Sequence, residues 1–493
     1  MYKVLDLKPF GFVIELEGGS CYFTEPYEVY INHELHCKGD TNVLAIYGLA
    51  PNKLYHVEIK GAASIAFDIR TLKPSYVVNV KDYNAAGDGV ANDTSAINAA
   101  IYTAAEGATV YIPKGRYLVD QVLLKSRVDI YLEEGAVLLQ NTNRDSLAIL
   151  KAYQRSYDHD TAYQNASWEG HPLDSYASLI YGKDVELVHI YGKGVIDGQG
   201  DIGGFWDNPK IKNKAWRPKN VLLINCHLVT LSGLVSRNSA SWNIHPINCD
   251  NIELIALKIE SIEESPNTDG INPESSGHVS IIGCHFSVGD DCIAIKAGKY
   301  FMSQKHLRPS RNIHIRNCFM EHGHGAVVMG SELSCGIYDV FVSQCYFKGT
   351  DRGLRIKTRR GRGEHAVVSG VVFDNILMED VTHGFVINMF YHCDPDGKSE
   401  HVSSKEHMPK DKYTPSIAGV TFKNIVAKGI KGAAIFVYGL PESPVEGIVI
   451  ENYEYSFADK RVTELPAMME PFPIDLPVDT FFENSEVKIG ENN

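Results

Sequence analysis

A strand-like phrase recurs along most of this 493-residue chain, and that recurrence narrows the choice of fold more than any other feature. From about residue 178 the phrases DVELVHIYG, NVLLINCHLVTLSG, NIELIALKIES, HVSIIGCHFS, NIHIRNCFMEH, DVFVSQCYFKG, GVVFDNILMED, GVTFKNIVAKG and GIVIENYEYS follow one another. Most are separated by roughly 25 to 35 residues, the spacing of one solenoid unit. One such unit cannot bury its apolar face alone, so successive units stack and share a continuous core. The pattern is too rich in strands for helical repeats and lacks the Leu-x-x-Leu-x-Leu ladder of leucine-rich repeats. It predicts an all-β chain built as a right-handed parallel β-helix. A chain of this length is too long for one compact domain but suits an architecture that grows along one axis.

Cysteines support the stacking. Cys226, Cys284, Cys318 and Cys345 fall at one phase of the phrase, where other copies carry Ile190, Leu257, Ile376 and Ile425. Exchange with aliphatics predicts reduced thiols inside a core, and no CxxC spacing points to a metal.

Before the repeats, residues 1–74 read as short alternating strands separated by Gly, Pro and Asn turns, which predicts a small β-sandwich. Within it, Leu49-Ala50-Pro51-Asn52-Lys53-Leu54-Tyr55 resembles the Leu-x-Pro-x-x-x-Tyr corner of fibronectin type III modules. Residues 75–493 then form the β-helix domain. Its start, from Asp82 through Thr94 into SAINAAIYTAA, predicts a short helix capped by Asp93 or Thr94. That start resembles the opening cap of pectate-lyase-like β-helices. Insertions near residues 151–176, 198–219, 299–311 and 391–415 break the rhythm and are expected as loops around a binding face.

The formal charge is −14, from 47 Lys and Arg against 61 Asp and Glu, which argues against nucleic-acid binding. No apolar run is long enough for a bilayer, so no membrane role is expected. The opening MYKVLDLKPFGFVIELEGGS interleaves charged and apolar residues and lacks the order of a secretory signal, so a cytoplasmic location is expected unless a leader has been removed. Oligomeric state has no signature here.

Polar clusters that folding does not require sit on neighbouring units. In Asn267-Thr268-Asp269-Gly270, strand alternation would project Asn267 and Asp269 together. Gly289-Asp290-Asp291 falls one unit later, and strands in register lie about 4.8 Å apart, so three carboxylates are expected to crowd one patch. Crowding raises the pKa of at least one member, as a general acid near neutral pH requires. An isolated Asp pair would more simply bind turn amides or Ca²⁺. One unit further, His324 lies between Gly323 and Gly325, where missing side chains admit a bulky substrate, with His322 as a competitor. Finally Asp351-Arg352-Gly353-Leu354-Arg355-Ile356-Lys357-Thr358-Arg359-Arg360-Gly361-Arg362 is dense in cations. Leu354 and Ile356 should point inward, and Arg355 and Lys357 outward towards an anionic sugar. Arg359, Arg360 and Arg362 read mostly as a solvated basic loop.

Together Asn267-Thr268-Asp269, Gly289-Asp290-Asp291, Gly323-His324-Gly325 and Arg355-Ile356-Lys357 resemble, in order, the four signatures of polygalacturonases, the glycoside hydrolase family 28 enzymes. The resemblance covers about residues 76–455. It implies inverting hydrolysis of α-1,4-linked galacturonan without a metal or other cofactor, the galacturonate polymer or oligomer being the partner. Asp290 would be the general acid and Asp269 and Asp291 would activate water. His324 would support the acid, and Arg355 and Lys357 would grip a substrate carboxylate. Asn267, Lys296, Glu332 and His245 would face sugar in the same cleft, while Trp242 either stacks on a ring or is buried. The N-terminal sandwich and long insertions point to exo-action. Rival readings are a hydrolase of rhamnogalacturonan or substituted galacturonan, a calcium-dependent pectate lyase, and a non-catalytic sugar-binding β-helix.

Overall fold

A computed structural model of the chain describes residues 1–18, 22–61, 64–155, 162–472 and 474–490. From Val77 onward parallel strands stack in register into a right-handed β-helix, as the repeats predict. Strands stay short because the chain turns at regular corners. Asn225, Asn248, Asn317, Asn375, Asn424 and Asn452 all adopt φ of 51–54° or, at Asn375, 56°. Asn accepts this left-handed conformation because its short amide bonds locally. Some of these corners stack: Asn452 donates to Asn424 at 3.1 Å and Asn424 to Asp374 at 2.9 Å.

One face of the solenoid is its largest sheet, running from Val77–Asn79 to Ser485–Ile489. Another face holds two shorter parallel sheets, joined by bridges from Ile244 to Ile271 and from Ile271 to Ile293. Along this second face Val221, Ile244, Ile271, Ile293, Val327, Leu354, Phe385 and Ile435 pair in sequence and all point into one buried core. Each such side chain stabilises the fold by about 1.5–3 kcal/mol. Inward aliphatics fix the register, and the register fixes which polar residues meet outside.

Cys284, Cys318 and Cys345 stack as expected, continuing through Ile376 and Ile425, and the nine described cysteines are free thiols. Cys226 and Ile190 are corrected. Cys226 lies in a different column, beside Cys249, while Ile190 pairs with Leu231. Each coil carries more than one inward column of similar spacing, so phase alone cannot assign a residue to one.

The helical cap is present as α1 (Thr94–Thr103), but Asp93 does not cap it. Its carboxylate instead accepts the amides of Ala86 and Gly87, closing the loop before the helix. No helix among the described residues is long and apolar enough to cross a membrane.

The N-terminal strands β1 (Tyr2–Lys8), β2 (Gly11–Leu16), β3 (Tyr22–Ile31), β4 (Glu34–Thr41), β5 (Val43–Tyr47), β6 (Leu54–Gly61) and β7 (Ile65–Arg70) form two antiparallel sheets, ordered β1-β2-β5 and β4-β3-β6-β7. They enclose their own core around Phe12, Val29, Ile46, Val57 and Ile59. Tyr55 Oη accepts the Ala50 amide at 2.7 Å. The sandwich rests on the solenoid through Val13, Val43 and Tyr47 against Tyr131, Tyr191, Ile255 and Ile282. Arg316 clasps Glu15 with two bonds of 2.9 Å. This contact combines apolar burial with a bidentate ion pair.

Candidate active site

Three carboxylates meet where the second face is most polar. Register does this: Gly270 donates its amide to Asp291 O, and Cys292 donates to Gly325 O, so the three units are locked side by side. One oxygen from each of Asp269, Asp290 and Asp291 lies within 4.8 Å of the others. Like charges this close cannot all remain ionised without cations. Burial, followed by the Asp290 charge, pushes the Asp269 carboxyl well above the carboxylate range, against the pull of Lys296 and the 2.8 Å bond from Asn272. For Asp290 burial acts the same way, but the hydrogen bond and charge of His324, with Lys357 and Lys296, outweigh it and hold the carboxyl below its ordinary value. Burial and the neighbouring charges thus favour the neutral form at Asp269 and the ionised form at Asp290.

Exposure separates the three further. The Asp290 side chain is 20% exposed and that of Asp291 only 1%. Asp290 thus offers the open face, with His324 Nδ1 at 3.3 Å from its Oδ1. That hydrogen bond lifts the imidazole to about 9, against burial. His322, the competitor, faces Glu263 at 3.9 Å. Asp291 Oδ2 is ion-paired to Lys357 Nζ at 2.8 Å, while its Oδ1 has no hydrogen-bond partner among the described residues. Beside that oxygen lies Gly325, where an added Cβ would sit 3.5 Å from Asp291 Oδ1 and 2.5 Å from Val328. The glycine keeps the approach to the free oxygen open.

Within the strand Arg352–Lys357, Leu354 and Ile356 enter the core and Arg355 and Lys357 point outward, as alternation predicts. Their roles differ. Lys357 is committed to Asp291, whereas the Arg355 guanidinium makes no hydrogen bond among the described residues and lies 5.8 Å from the Tyr391 ring. Lys296 is bound to Glu332 at 3.0 Å and to Gly330 O at 3.1 Å. Glu332 is thus a buried counterion, held below its ordinary pKa by Lys296, Lys299 and Arg362 against burial.

Several expectations need correction. Asn267 does not alternate with Asp269 along a strand, because its φ of 55° places it in a turn. It still reaches the cluster, with Nδ2 3.5 Å from Asp290 and Oδ1 accepting from Arg217 at 2.6 Å. His245 cannot face sugar: it is 0% exposed, bonded to Glu274 at 2.8 Å and packed edge-on to Trp242. Burial lowers it to about 4, so it is neutral. Trp242 is buried too, beneath Lys296 at 5.1 Å. Arg359, Arg360 and Arg362 are not a solvated loop. All three are buried in ion pairs: Arg360 with Glu442, Arg359 with Asp394 and Asp396, and Arg362 with Asp394.

The sequence reading missed Arg217, Asn272, Lys299, Tyr391 and Asp394. Asn272 was within reach, three residues after Asp269 in the same phrase. The others stand on or beside insertions, which carry no period. Those insertions interlock next to the carboxylates. Trp168 stacks on Trp216 at 4.6 Å, Lys299 donates its ammonium to Asp394 at 3.0 Å and its amide to Gly170 O, and Gly170 packs on Glu332.

A family model described as glycosyl hydrolases family 28 matches residues 103–453. A probable polygalacturonase of Vitis vinifera is 30% identical over 397 residues, covering 78% of this chain and 75% of that protein. An exo-poly-alpha-D-galacturonosidase of Dickeya chrysanthemi is 28% identical over 389 residues, covering 71% of this chain and 62% of that one. Among solved structures, the family 28 exopolygalacturonase of Yersinia enterocolitica shares the fold, with a TM-score of 0.70, 21% identity, and coverage of 99% of this chain and 98% of that one. The relatives also overturn the expected cytoplasmic location. Plant polygalacturonases act on a cell-wall polymer, which lies outside the membrane and out of reach of a cytoplasmic enzyme.

Proposed function

The chain belongs to glycosyl hydrolases family 28 and is a glycoside hydrolase of polygalacturonate, and from that premise we propose that it removes galacturonate from chain ends. The observation that carries exo-action is the interlock of the insertions beside Glu332, because an open groove would suit internal cleavage and a walled one suits a terminal sugar. Arg355, with its donors free, grips a substrate carboxylate by the planar fork that matches one.

Asp290 hands a proton to the leaving glycosidic oxygen, since it is the member of the cluster open to the cleft. That proton rests on the His324 imidazole, which the bond to Asp290 lifts to about 9, and passes through Asp290 to the leaving oxygen. Asp291 takes the proton of the attacking water on its free Oδ1, with Lys357 holding its other oxygen in place. Asp269, with an oxygen within 4.8 Å of the other two, helps to activate the same water. Bond breaking, water attack and both proton transfers then balance without a further reactant.

Stereochemistry is open to a direct test. One oxygen of each cluster carboxyl lies within 4.8 Å of one from each of the others, closer than the ~6.5–9.5 Å that separates acid and base carboxyl groups in most inverting enzymes. Single displacement with inversion is what the family resemblance implies, and proton NMR of the first product reads it: a β-anomer supports water attack, and an α-anomer would make Asp269 or Asp291 a nucleophile.

The module of residues 1–74 is of fibronectin type III kind, supported by its two sheets and the Tyr55 tie to Ala50, and residues 75–493 form the catalytic domain. The experiment for exo-action is chromatography of early products from a defined galacturonate hexamer. Monomer together with the shortened oligomer is the expected result, and a spread of intermediate sizes from the first time point would overturn it.

A further inference from the structure

We propose that the N-terminal sandwich carries a divalent transition-metal site built from His33, His56 and Glu58. Along β6 the side chains of Tyr55, Val57 and Ile59 are buried in the sandwich core, so His56 and Glu58 share the outer face. The β3–β4 hairpin closes over that face through the two-residue turn Asn32-His33, both with positive φ, 51° and 70°. Asn32 Oδ1 accepts the His56 amide at 2.9 Å and the Asn32 amide bonds to His56 O at 2.8 Å, which pins the turn beside β6. The His33 ring thereby lies 5.3 Å from that of His56, with Nδ1 3.3 Å from Glu58 Oε2. One ligand atom from each of the three residues lies within 4.8 Å of the other two.

A second observation points to a metal independently. Asp68 stands opposite His56 in register on β7, and its Oδ1 is 2.7 Å from His56 Nδ1. A carboxylate holding one ring nitrogen fixes the tautomer and leaves the lone pair on the other, which is the outer partner that metal-binding histidines have. Two imidazoles and one carboxylate suit Zn²⁺, Co²⁺, Ni²⁺ or Cu²⁺ and not the all-oxygen preference of Ca²⁺ or Mg²⁺, with a remaining position for water. Lys60 Nζ, 3.3 Å from Glu58 Oε2, is the cation a metal would displace, and the Tyr30 ring, 4.4 Å away, already holds the ammonium by its face. Bound metal would tie the hairpin to β6 and stabilise the native sandwich by mass action.

The test uses the full chain without a polyhistidine tag, stripped with chelator, dialysed and titrated with Co²⁺ by visible absorption, then with Zn²⁺ as competitor. The site predicts one Co²⁺ per chain with a tetrahedral spectrum, displaced by Zn²⁺, and a rise in Tm on adding Zn²⁺. Binding is lost in Glu58→Gln and in the double variant His33→Asn with His56→Ala, where Asn suits the turn's positive φ. Asp68→Asn weakens it roughly 10- to 100-fold. Asp290→Asn binds as the wild type does, which separates this site from the catalytic carboxylates, and His33→Asn hydrolyses polygalacturonate normally. No saturable Co²⁺ uptake, or uptake that survives in Glu58→Gln and the double variant, would overturn the proposal.

Discussion

Lys357 Nζ lies 2.8 Å from Asp291 Oδ2, and both side chains are almost closed to solvent although 66 residues separate them in sequence. The ion pair orients one carboxylate with its other oxygen free. Lys357→Met should strand that charge in the interior, at a cost of about 3–5 kcal/mol of stability, and should also lower kcat. Thermal unfolding and steady-state kinetics check the two effects, and unchanged values of both would remove Lys357 from this role.

Much of the solenoid was legible because register follows from inward aliphatics, and the period of the repeats reports them directly. The same period carried Asp269, Asp290, Asp291, His324, Arg355 and Lys357 to one face. What it could not carry was the company each residue keeps. His245 lies in a phrase like the others, yet Glu274 and Trp242 cover it. Arg359, Arg360 and Arg362 look like a solvated loop until Asp394, Asp396 and Glu442 arrive from segments with no repeat. Alternation places Asn267 on a strand with Asp269, but its φ of 55° puts it in a turn that no period reports.

Arg355 has donors to spare, so its loss should be felt in binding. A charge-assisted bond contributes about 1.5–3 kcal/mol, on the order of a 10- to 150-fold rise in KM for Arg355→Ala. The turnover number should change less, and Arg355→Lys should not restore the wild-type KM, because an ammonium lacks the fork. Kinetics on trigalacturonate measure this split; an unchanged KM in Arg355→Ala would mean that the substrate carboxylate binds elsewhere.

His324 is lifted to about 9 from an ordinary value of 6.5, first by its bond to Asp290. A raised folded value favours the protonated form, so the imidazolium's contribution to stability is complete below about 6.5 and drains away as pH rises through about 9. NMR titration of the ring should show this elevated midpoint in the wild type. In Asp290→Asn the midpoint should fall towards the ordinary value, and a midpoint that stays put would show that Asp290 is not the cause.

The account rests on Asp290 as the donor of the proton that releases the leaving sugar. Turnover of a galacturonate oligomer by Asp290→Asn, with oligomer binding measured by calorimetry on the same protein, tests it most directly. A general acid contributes about 10²–10⁴-fold, so kcat should fall by that order while the oligomer still binds and the variant unfolds cooperatively. Turnover close to that of the wild type would contradict the assignment and with it the chemistry proposed for the cluster.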